Sequence, residues 1–436
     1  MSINSLFHNR KVLIFGLGLQ GGGVADALTA LSFGAKVRVT DLKSATQLRS
    51  SLNQLPSEIN TTLGSHRQED IEWADLIIQN PAVPFDNKFI QLAHQLHKPV
   101  YGSAALYLEY TSLPVIGITG TRGKSTTTSL IYHLLNRVYP NEILLGGNIP
   151  NKSPLQLITQ EENKRYAVLE LSSFQLHFAH QLQVSPHLAV VTNIYPDHLN
   201  RYDSMKAYIQ DKLAIVKYQT DQDYAILNAN DPQTDLFAQA TLAQIHYFQY
   251  SHLASNLIGR HNQANLAAAL EVAEILKLPK DLVRKAVADF RGLPFRLERV
   301  GEKRGVIFIN DTTSTTPIAT ITAIKAVPQN LILIVGGSDK QLPIEKMVRF
   351  ICHEDKVRGL VILGSYQNQK FVTQLESQCP SKIISQVDNM KSAVETAVAF
   401  AHSGEVILLS PGFASFDLFK NEFDRGRQFN EVVAQL

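Results

Sequence analysis

The chain has 436 residues, 44% hydrophobic and 18% charged, with a formal net charge of +2. That length suits about three domains of ~150 residues each, and the near-neutral balance excludes a basic footprint for nucleic acid or a membrane surface. Only Cys352 and Cys379 are present, so no disulfide framework is expected. The polar N-terminus and the lack of any apolar run near the ~20 residues of a membrane span predict a cytoplasmic protein with a reducing interior.

Residues 11–41 open as K-V-L-I-F-G-L-G-L-Q-G, pass through a helical stretch and end in the strand K-V-R-V-T-D. Gly16, Gly18 and Gly21 fit G-x-G-x-x-G directly after a strand, and Asp41 follows Gly21 by 20 residues at a strand end. That spacing is the dinucleotide-binding fingerprint, in which the acidic residue holds ribose hydroxyls, so an NAD-dependent oxidoreductase is one reading. A tight turn with no ligand is the plainer one. D-L-I-I-Q-N at 75–80 reads as a further strand, with Pro81 and Pro84 in its exit loop. Residues 100–114 lack strong periodicity and end in Pro, which predicts a domain boundary.

The most informative stretch is V-I-G-I-T-G-T-R-G-K-S-T-T-T-S at 115–129. An apolar strand meets a glycine turn, and Leu130, Ile131, Leu134, Leu135 and Val138 then repeat with helical spacing. Strand, Gly-Lys-Ser and helix read as a phosphate-binding loop. Backbone N–H groups of Gly120, Thr121, Arg122 and Gly123 can close around phosphate oxygens, Lys124 can reach the outer phosphates, and the Ser125 hydroxyl can sit on Mg²⁺. The usual motif wants Gly five residues before the Gly-Lys pair, and Ile118 stands there instead.

Strands and helices alternate beyond this point, which predicts a mainly parallel sheet with ligands at the carboxyl ends of its strands. Glu170 ends one strand, and Asn193 to His198 follow another, so both should converge with Thr119 at one edge. A helical stretch at 204–217 carries Lys212, and Asn262 and Asn265 share a face of a later helix. A second boundary falls near 291–296. The last third alternates again, with apolar strands at 306–311, 331–337, 360–364 and 405–412.

T-G-T-R-G-K-S-T at 119–126 resembles the turn of the Mur ligases and their folylpolyglutamate synthetase relatives, with Arg122 in place of their Asn. The likeness to the Mur ligases, and to their glutamate-adding members, runs through most of the chain. It includes G-L-G-L-Q-G at 16–21, G-G-N-I-P at 146–150, L-E-L-S-S-F-Q-L at 169–176, D-H-L-N-R-Y at 197–202, G-R-H-N-Q-A-N at 259–265, G-L-P-F-R-L-E at 292–298 and S-P-G-F-A-S-F-D at 410–417 with L-F-K-N-E-F-D-R-G after it. The resemblance implies three α/β domains. A Rossmann-like domain over 1–103 binds a UDP-substrate, a central P-loop ATPase-type parallel sheet over 104–292 binds ATP, and a Rossmann-like domain over 293–436 binds an amino acid.

It also implies roles. Gly18, Leu19, Gln20, Gly21 and Asp41 hold a uridine nucleotide, and Asn148 lies near that acceptor. Gly120, Thr121, Arg122, Gly123, Lys124, Ser125 and Thr126 bind the ATP phosphates, and Asn262, Arg296 and Asp311 contact the nucleotide. Ser125, Glu170, His198 and a carbamylated Lys212 serve Mg²⁺, and Lys124, His198 and Lys212 carry the catalysis. Thr315, Lys340 and Ser415 surround the incoming amino acid.

The implied reaction joins D-glutamate to UDP-N-acetylmuramoyl-L-alanine, with ATP as the energy source, in peptidoglycan precursor synthesis. The protein is expected to act as a monomer. Thr313 stands where the family has lysine and Glu422 where it often has an aromatic residue, so the amino-acid side departs most from the family pattern. A Mur-type ligase for another amino acid and a non-catalytic UDP-sugar binder are the remaining readings.

Overall fold

The computed structural model describes residues 2–199, 201–364, 369–416 and 418–436. It contains three largely parallel sheets flanked by helices. Strands buried on both faces read as unbroken apolar runs in sequence, which is why Lys11–Phe15, Val115–Thr119 and Leu331–Val335 are so hydrophobic.

The first sheet holds β1 (Lys11–Phe15), β2 (Lys36–Asp41), β3 (Asn60–Leu63), β4 (Leu76–Gln79) and β5 (Val100–Tyr101), in the order β3-β2-β1-β4-β5 with every pair parallel. Alternate residues of β1 feed two separate cores, Val12 and Ile14 on one face and Leu13 and Phe15 on the other. The order reverses between β1 and β4, where an α/β sheet opens a ligand crevice.

The second sheet holds β6 (Val115–Thr119), β7 (Ile143–Gly147), β8 (Tyr166–Glu170), β9 (Leu188–Val191), β10 (Tyr224–Asn228) and β11 (Gln244–Phe248), in the order β11-β10-β9-β6-β8-β7, again parallel. The neighbours of β6 are β8 and β9, so the loops after these three strands share one edge. Both sheets lie in one compact unit, Met1–His252 with Ala264–Ala286.

Leu253–Gln263 with Val287–Leu436 form the other unit. Its sheet holds β12 (Glu298–Lys303), β13 (Val306–Asn310), β14 (Leu331–Val335), β15 (Val357–Leu363), β16 (Ile383–Val387) and β17 (Val406–Leu409), ordered β12-β13-β17-β14-β15-β16. Among the described residues of this sheet only the edge strand β12 runs antiparallel.

Two features are not visible in residue order. The aperiodic segment 100–114 contains a helix, Ser103–Tyr110, buried on several sides. Ala104 and Tyr107 belong to the core of the second sheet, while Leu106 and Ala105 pack into the two cores of the first. A helix buried on most of its sides has little polar stripe, so its sequence shows no clear period. The two cysteines, expected to be unpaired, form a disulfide with Cα atoms 5.4 Å apart. Cys352 and Cys379 lie at or just beyond the ends of the helices Glu345–His353 and Gln369–Gln378, which follow adjacent parallel strands and so end on the same side. A spacing of 27 residues cannot reveal that.

Asp26, in the helix Gly22–Ser32, ties the first two sheets together. Its carboxylate accepts hydrogen bonds of 2.5 Å from Ser103 Oγ and from Ser153 Oγ, in the loop after β7. Burial pushes its pKa up to about 6, against the lowering effect of the two serines. A carboxyl group whose pKa is raised by folding is most stabilising while protonated. Its contribution is complete below about 4 and lost as pH rises through about 6. At 1.36 kcal/mol per pH unit the loss is about 3 kcal/mol. Asp26→Asn is therefore expected to lose about 3 kcal/mol less than the parent between pH 4 and 7.5 in denaturant titrations, because the amide stays neutral and rotatable hydroxyls can bond it. Equal losses in the two proteins would show that Asp26 does not titrate in this window.

Candidate active site

The loop between β6 and the helix Lys124–Val138 is shaped by two glycines. Gly120 has φ 147°, and a Cβ there would lie 1.9 Å from Thr192 Oγ1; Gly123 has φ 84° and caps the helix, with Asn265 Oδ1 2.4 Å from where its Cβ would be. No other residue fits at either position. The loop is fastened to the segment after β9. Thr121 N donates to Asn193 O at 2.7 Å, Arg122 N to Asn193 Oδ1 at 2.8 Å, and Thr192 Oγ1 to Arg122 O at 2.7 Å. Lys124 folds back over its own turn, Nζ donating to Gly120 O at 3.0 Å and Thr121 O at 3.3 Å. Ser125 and Thr126 occupy the first turn of the helix, where unpaired amides and the helix dipole favour an anion.

Glu170 ends β8 beside this loop and is 3% exposed. Asn148 Nδ2 donates to its Oε1 at 3.0 Å, while Oε2 is buried with no partner. A buried, unpaired carboxylate oxygen is costly, and a hard cation is the natural partner for it. Among the described residues no group of three or more His, Cys, Asp or Glu is placed to hold a metal. Oxygens from hydroxyls, water or phosphate would have to complete any such shell.

Lys212, which periodicity alone would leave as a solvated helix residue, is 1% exposed on the helix Met205–Lys217. Its Nζ donates to Thr119 Oγ1 at 3.2 Å and to Gly120 O at 3.0 Å, the same carbonyl that receives Lys124. Burial, reinforced by the charge of Lys124, holds its pKa well below the usual lysine range. His198, in a left-handed conformation at φ 55°, packs edge-on against Phe174 at 5.1 Å. Its pKa is lowered by burial and by Lys124, Lys212 and Arg122, with Asp197 opposing, so a neutral imidazole is available as a ligand. Arg122, the departure from the family's Asn, pairs with Asp197 at 2.9 Å.

The first glycine loop is held from below by Asp41. Gly18 N donates to Oδ2 at 2.9 Å and Lys43 N to Oδ1 at 2.8 Å. Asn151 N donates to Gln20 O at 2.8 Å and its side chain closes on Gly21, while Leu19 is left exposed. Asn80, not singled out in the sequence, follows β4 and lies against Gly16 and Gly18. Its signal was topological: β4 is the other neighbour of β1. Arg201 was also missed. Its Nη1 donates to Ala82 O at 3.1 Å, its guanidinium lies over Phe174, and its Nη2 is buried without a partner. The loops bearing the glycine fingerprint and Asn148 are thus joined within one unit.

In the other unit the loops after β13, β14 and β17 converge. Lys340 Nζ donates to Thr315 Oγ1 at 2.9 Å, and Ser338 and Ala414 exchange backbone hydrogen bonds one residue before the buried Ser415. Asp311 is buried, accepting from Ser410 Oγ at 2.9 Å and Leu297 N at 3.2 Å, and burial raises its pKa to about 6. Arg296 sits between Phe295 (φ 67°) and Leu297 (φ 47°), two left-handed non-glycine residues whose strain needs restraint. Thr313 supplies part of it, donating from N and Oγ1 to Phe295 O at 3.3 and 2.8 Å. A lysine at 313 would lose that hydroxyl bond. Asn262 lies in this unit, with Nδ2 donating to Ile258 O at 2.8 Å, while Asn265 lies in the first.

The fold and its division into α/β domains recur in known proteins. Family profiles match residues 10–102 (Mur ligase MurD-like, N-terminal domain), 118–254 (Mur ligase middle domain) and 295–413 (Mur ligase, glutamate ligase domain). UDP-N-acetylmuramoylalanine--D-glutamate ligases of Roseiflexus sp. (strain RS-1) and Borreliella afzelii (strain PKo) are each 34% identical, over 97% and 98% of this chain and 98% of their own. That of Listeria monocytogenes serotype 4b (strain F2365) is 30% identical over 99% of this chain and 98% of its own. Among solved structures, the UDP-N-acetylmuramate-alanine ligase MurC of Thermotoga maritima superposes with a TM-score of 0.61 at 19% identity, over 98% of this chain and 100% of that one. A MurF ligase of Thermotoga maritima in complex with ADP gives 0.56 at 18%, over 100% and 97%. The chain belongs to the Mur ligase family, in its UDP-N-acetylmuramoylalanine--D-glutamate ligase branch.

Proposed function

We infer that this protein is an ATP-dependent, ADP-forming ligase that joins D-glutamate to UDP-N-acetylmuramoyl-L-alanine in peptidoglycan precursor synthesis. The observation that carries the reading is the convergence of Lys124, the half-paired Glu170 and the desolvated Lys212 on one glycine loop. A second, separate glycine loop at 16–21 supports a nucleotide-linked acceptor, because an NAD-dependent oxidoreductase would not need the loop at 120–123.

The substrate carboxylate attacks the γ-phosphorus of ATP, and ADP leaves with the bridging oxygen. The glutamate amine then attacks the acyl carbon, phosphate leaves, and the amine gives up a proton. The backbone of Gly120 to Gly123 and the Lys124 ammonium hold the phosphates and neutralise charge that builds during transfer. Mg²⁺ would be held by Glu170 Oε2, Ser125 and His198, and when bound supplies further charge neutralisation. Asp41 fixes the first glycine loop for the uridine nucleotide, with Asn148 and Asn80 beside the acceptor. Arg296, Asn262 and Asp311 serve the adenine nucleotide, and Thr315, Lys340 and Ser415 the amino acid. The domains on this reading are 1–103, 104–292 and 293–436, and the protein works as a cytoplasmic monomer. No helix among the described residues is long and apolar enough to cross a membrane.

The test is purified protein with UDP-N-acetylmuramoyl-L-alanine, ATP, MgCl₂ and single amino acids, following phosphate release and product mass. Phosphate release should depend on D-glutamate and yield the glutamyl adduct. Turnover with another amino acid alone, or tight NADH binding without phosphate release, would overturn the reading.

A further inference from the structure

Among the described residues the largest fully buried side chain is that of Arg425, in the helix Glu422–Gln435. Its guanidinium makes five hydrogen bonds, all to neutral acceptors. Nε donates to Thr312 Oγ1 at 2.9 Å, Nη1 to Phe413 O and Ala414 O at 3.3 and 3.2 Å, and Nη2 to Thr312 O and Phe413 O at 3.0 and 3.3 Å. No carboxylate among the described residues lies within 4 Å of it, and Glu422 acts on it only through space. Hydrogen bonds to carbonyls satisfy the donors but leave the net charge uncompensated, which is expensive in a buried site.

The position of this charge is specific. It touches the loops after β13 and β17 directly, and Nη1 would lie 3.1 Å from a Cβ on Gly337, in the loop after β14. Those three loops carry Thr315, Ser415 and Lys340. The Ala414–Ser415 peptide turns its carbonyl to Arg425. In a trans peptide the N–H, on Ser415, then points the opposite way. No backbone carbonyl among the described residues accepts from that N–H. Its positive end is presented away from a fixed cation, an arrangement that polarises it toward an anion.

We propose that Arg425 is a positioning and specificity residue, whose buried charge acts through the Ala414–Ser415 peptide to favour an amino acid bearing a second carboxylate. It supplies positive potential from beneath the loops that carry Thr315, Lys340 and Ser415. The inference rests on the reading that Thr315, Lys340 and Ser415 receive glutamate.

The test compares D-glutamate as substrate with neutral D-glutamine as competing ligand, in the parent protein, Arg425→Gln and Arg425→Lys. The Gln variant should raise KM for glutamate about tenfold, close to 1.4 kcal/mol. Its Ki for glutamine and KM for ATP should change less than about twofold. Lysine keeps the charge but not the five-bond fork, so that variant should melt at a lower temperature yet keep most of the preference for the anion. Parallel weakening of glutamate and glutamine, or a lysine variant that folds but loses the preference, overturns the proposal and makes Arg425 purely structural. If the Gln variant does not fold, the lysine variant alone decides. Failure of the parent protein to use glutamate at all would instead remove the functional reading on which the proposal stands.

Discussion

Replacing Lys124 with alanine is expected to lower kcat by about two orders of magnitude or more, the scale of losing one transition-state charge partner. The ammonium is already bent over the loop, bonded to Gly120 O and Thr121 O, so little rearrangement separates it from a phosphate in the same turn. The effect should fall on kcat at saturating ATP, with KM for the uridine substrate nearly unchanged, since Asp41 and the first glycine loop belong to a different sheet. Steady-state kinetics in each substrate would separate the two parameters. A near-parental kcat would mean that the loop holds its nucleotide by backbone alone.

Lys212→Ala is expected to be almost inactive and to recover in part with added formate or acetate. Two lysines donate to one carbonyl, that of Gly120, and one of them is 1% exposed. A buried ammonium beside a second ammonium favours loss of its proton. The neutral amine that results can attack CO₂, forming a nitrogen–carbon bond and releasing a proton, which turns a would-be cation into an oxygen anion suited to a hard metal. Small carboxylates could fill the space left by the alanine and return that negative charge. The parent protein should also slow in CO₂-depleted buffer and recover with bicarbonate. Ordinary activity of Lys212→Ala under depletion would leave the lysine as a structural tie between its helix and the loop.

Much of this arrangement could be read from residue order. The glycine turns announce themselves because only glycine tolerates φ values of 147° and 84° with Thr192 and Asn265 so close. Strands such as Leu331–Val335 are visible because parallel sheets bury both faces. What escaped depends on contacts between distant segments. Burial of Lys212 is invisible in a helix whose neighbours are unknown, and Asn80 matters only once β4 is seen to lie beside β1. Thr313 looked like a missing charge. It is a hydroxyl fastened to Phe295 O, which no spacing rule encodes. Arg425 lies in a segment that carries the family resemblance, yet residue order does not show that it is the most completely enclosed cation of its unit among the described residues.

The helix Ser103–Tyr110 has a bearing on how the chain matures. As synthesis proceeds, the first hundred residues emerge with β1 to β4 complete but without Leu106 and Ala105 to close their cores. Tyr107 and Ala104, a turn of the same helix, wait for strands that lie as much as 120 residues further on, among them Ala225 and Leu227 in β10. The N-terminal sheet thus shares this one helix with its neighbour, and the same two turns of chain close cores on both sides.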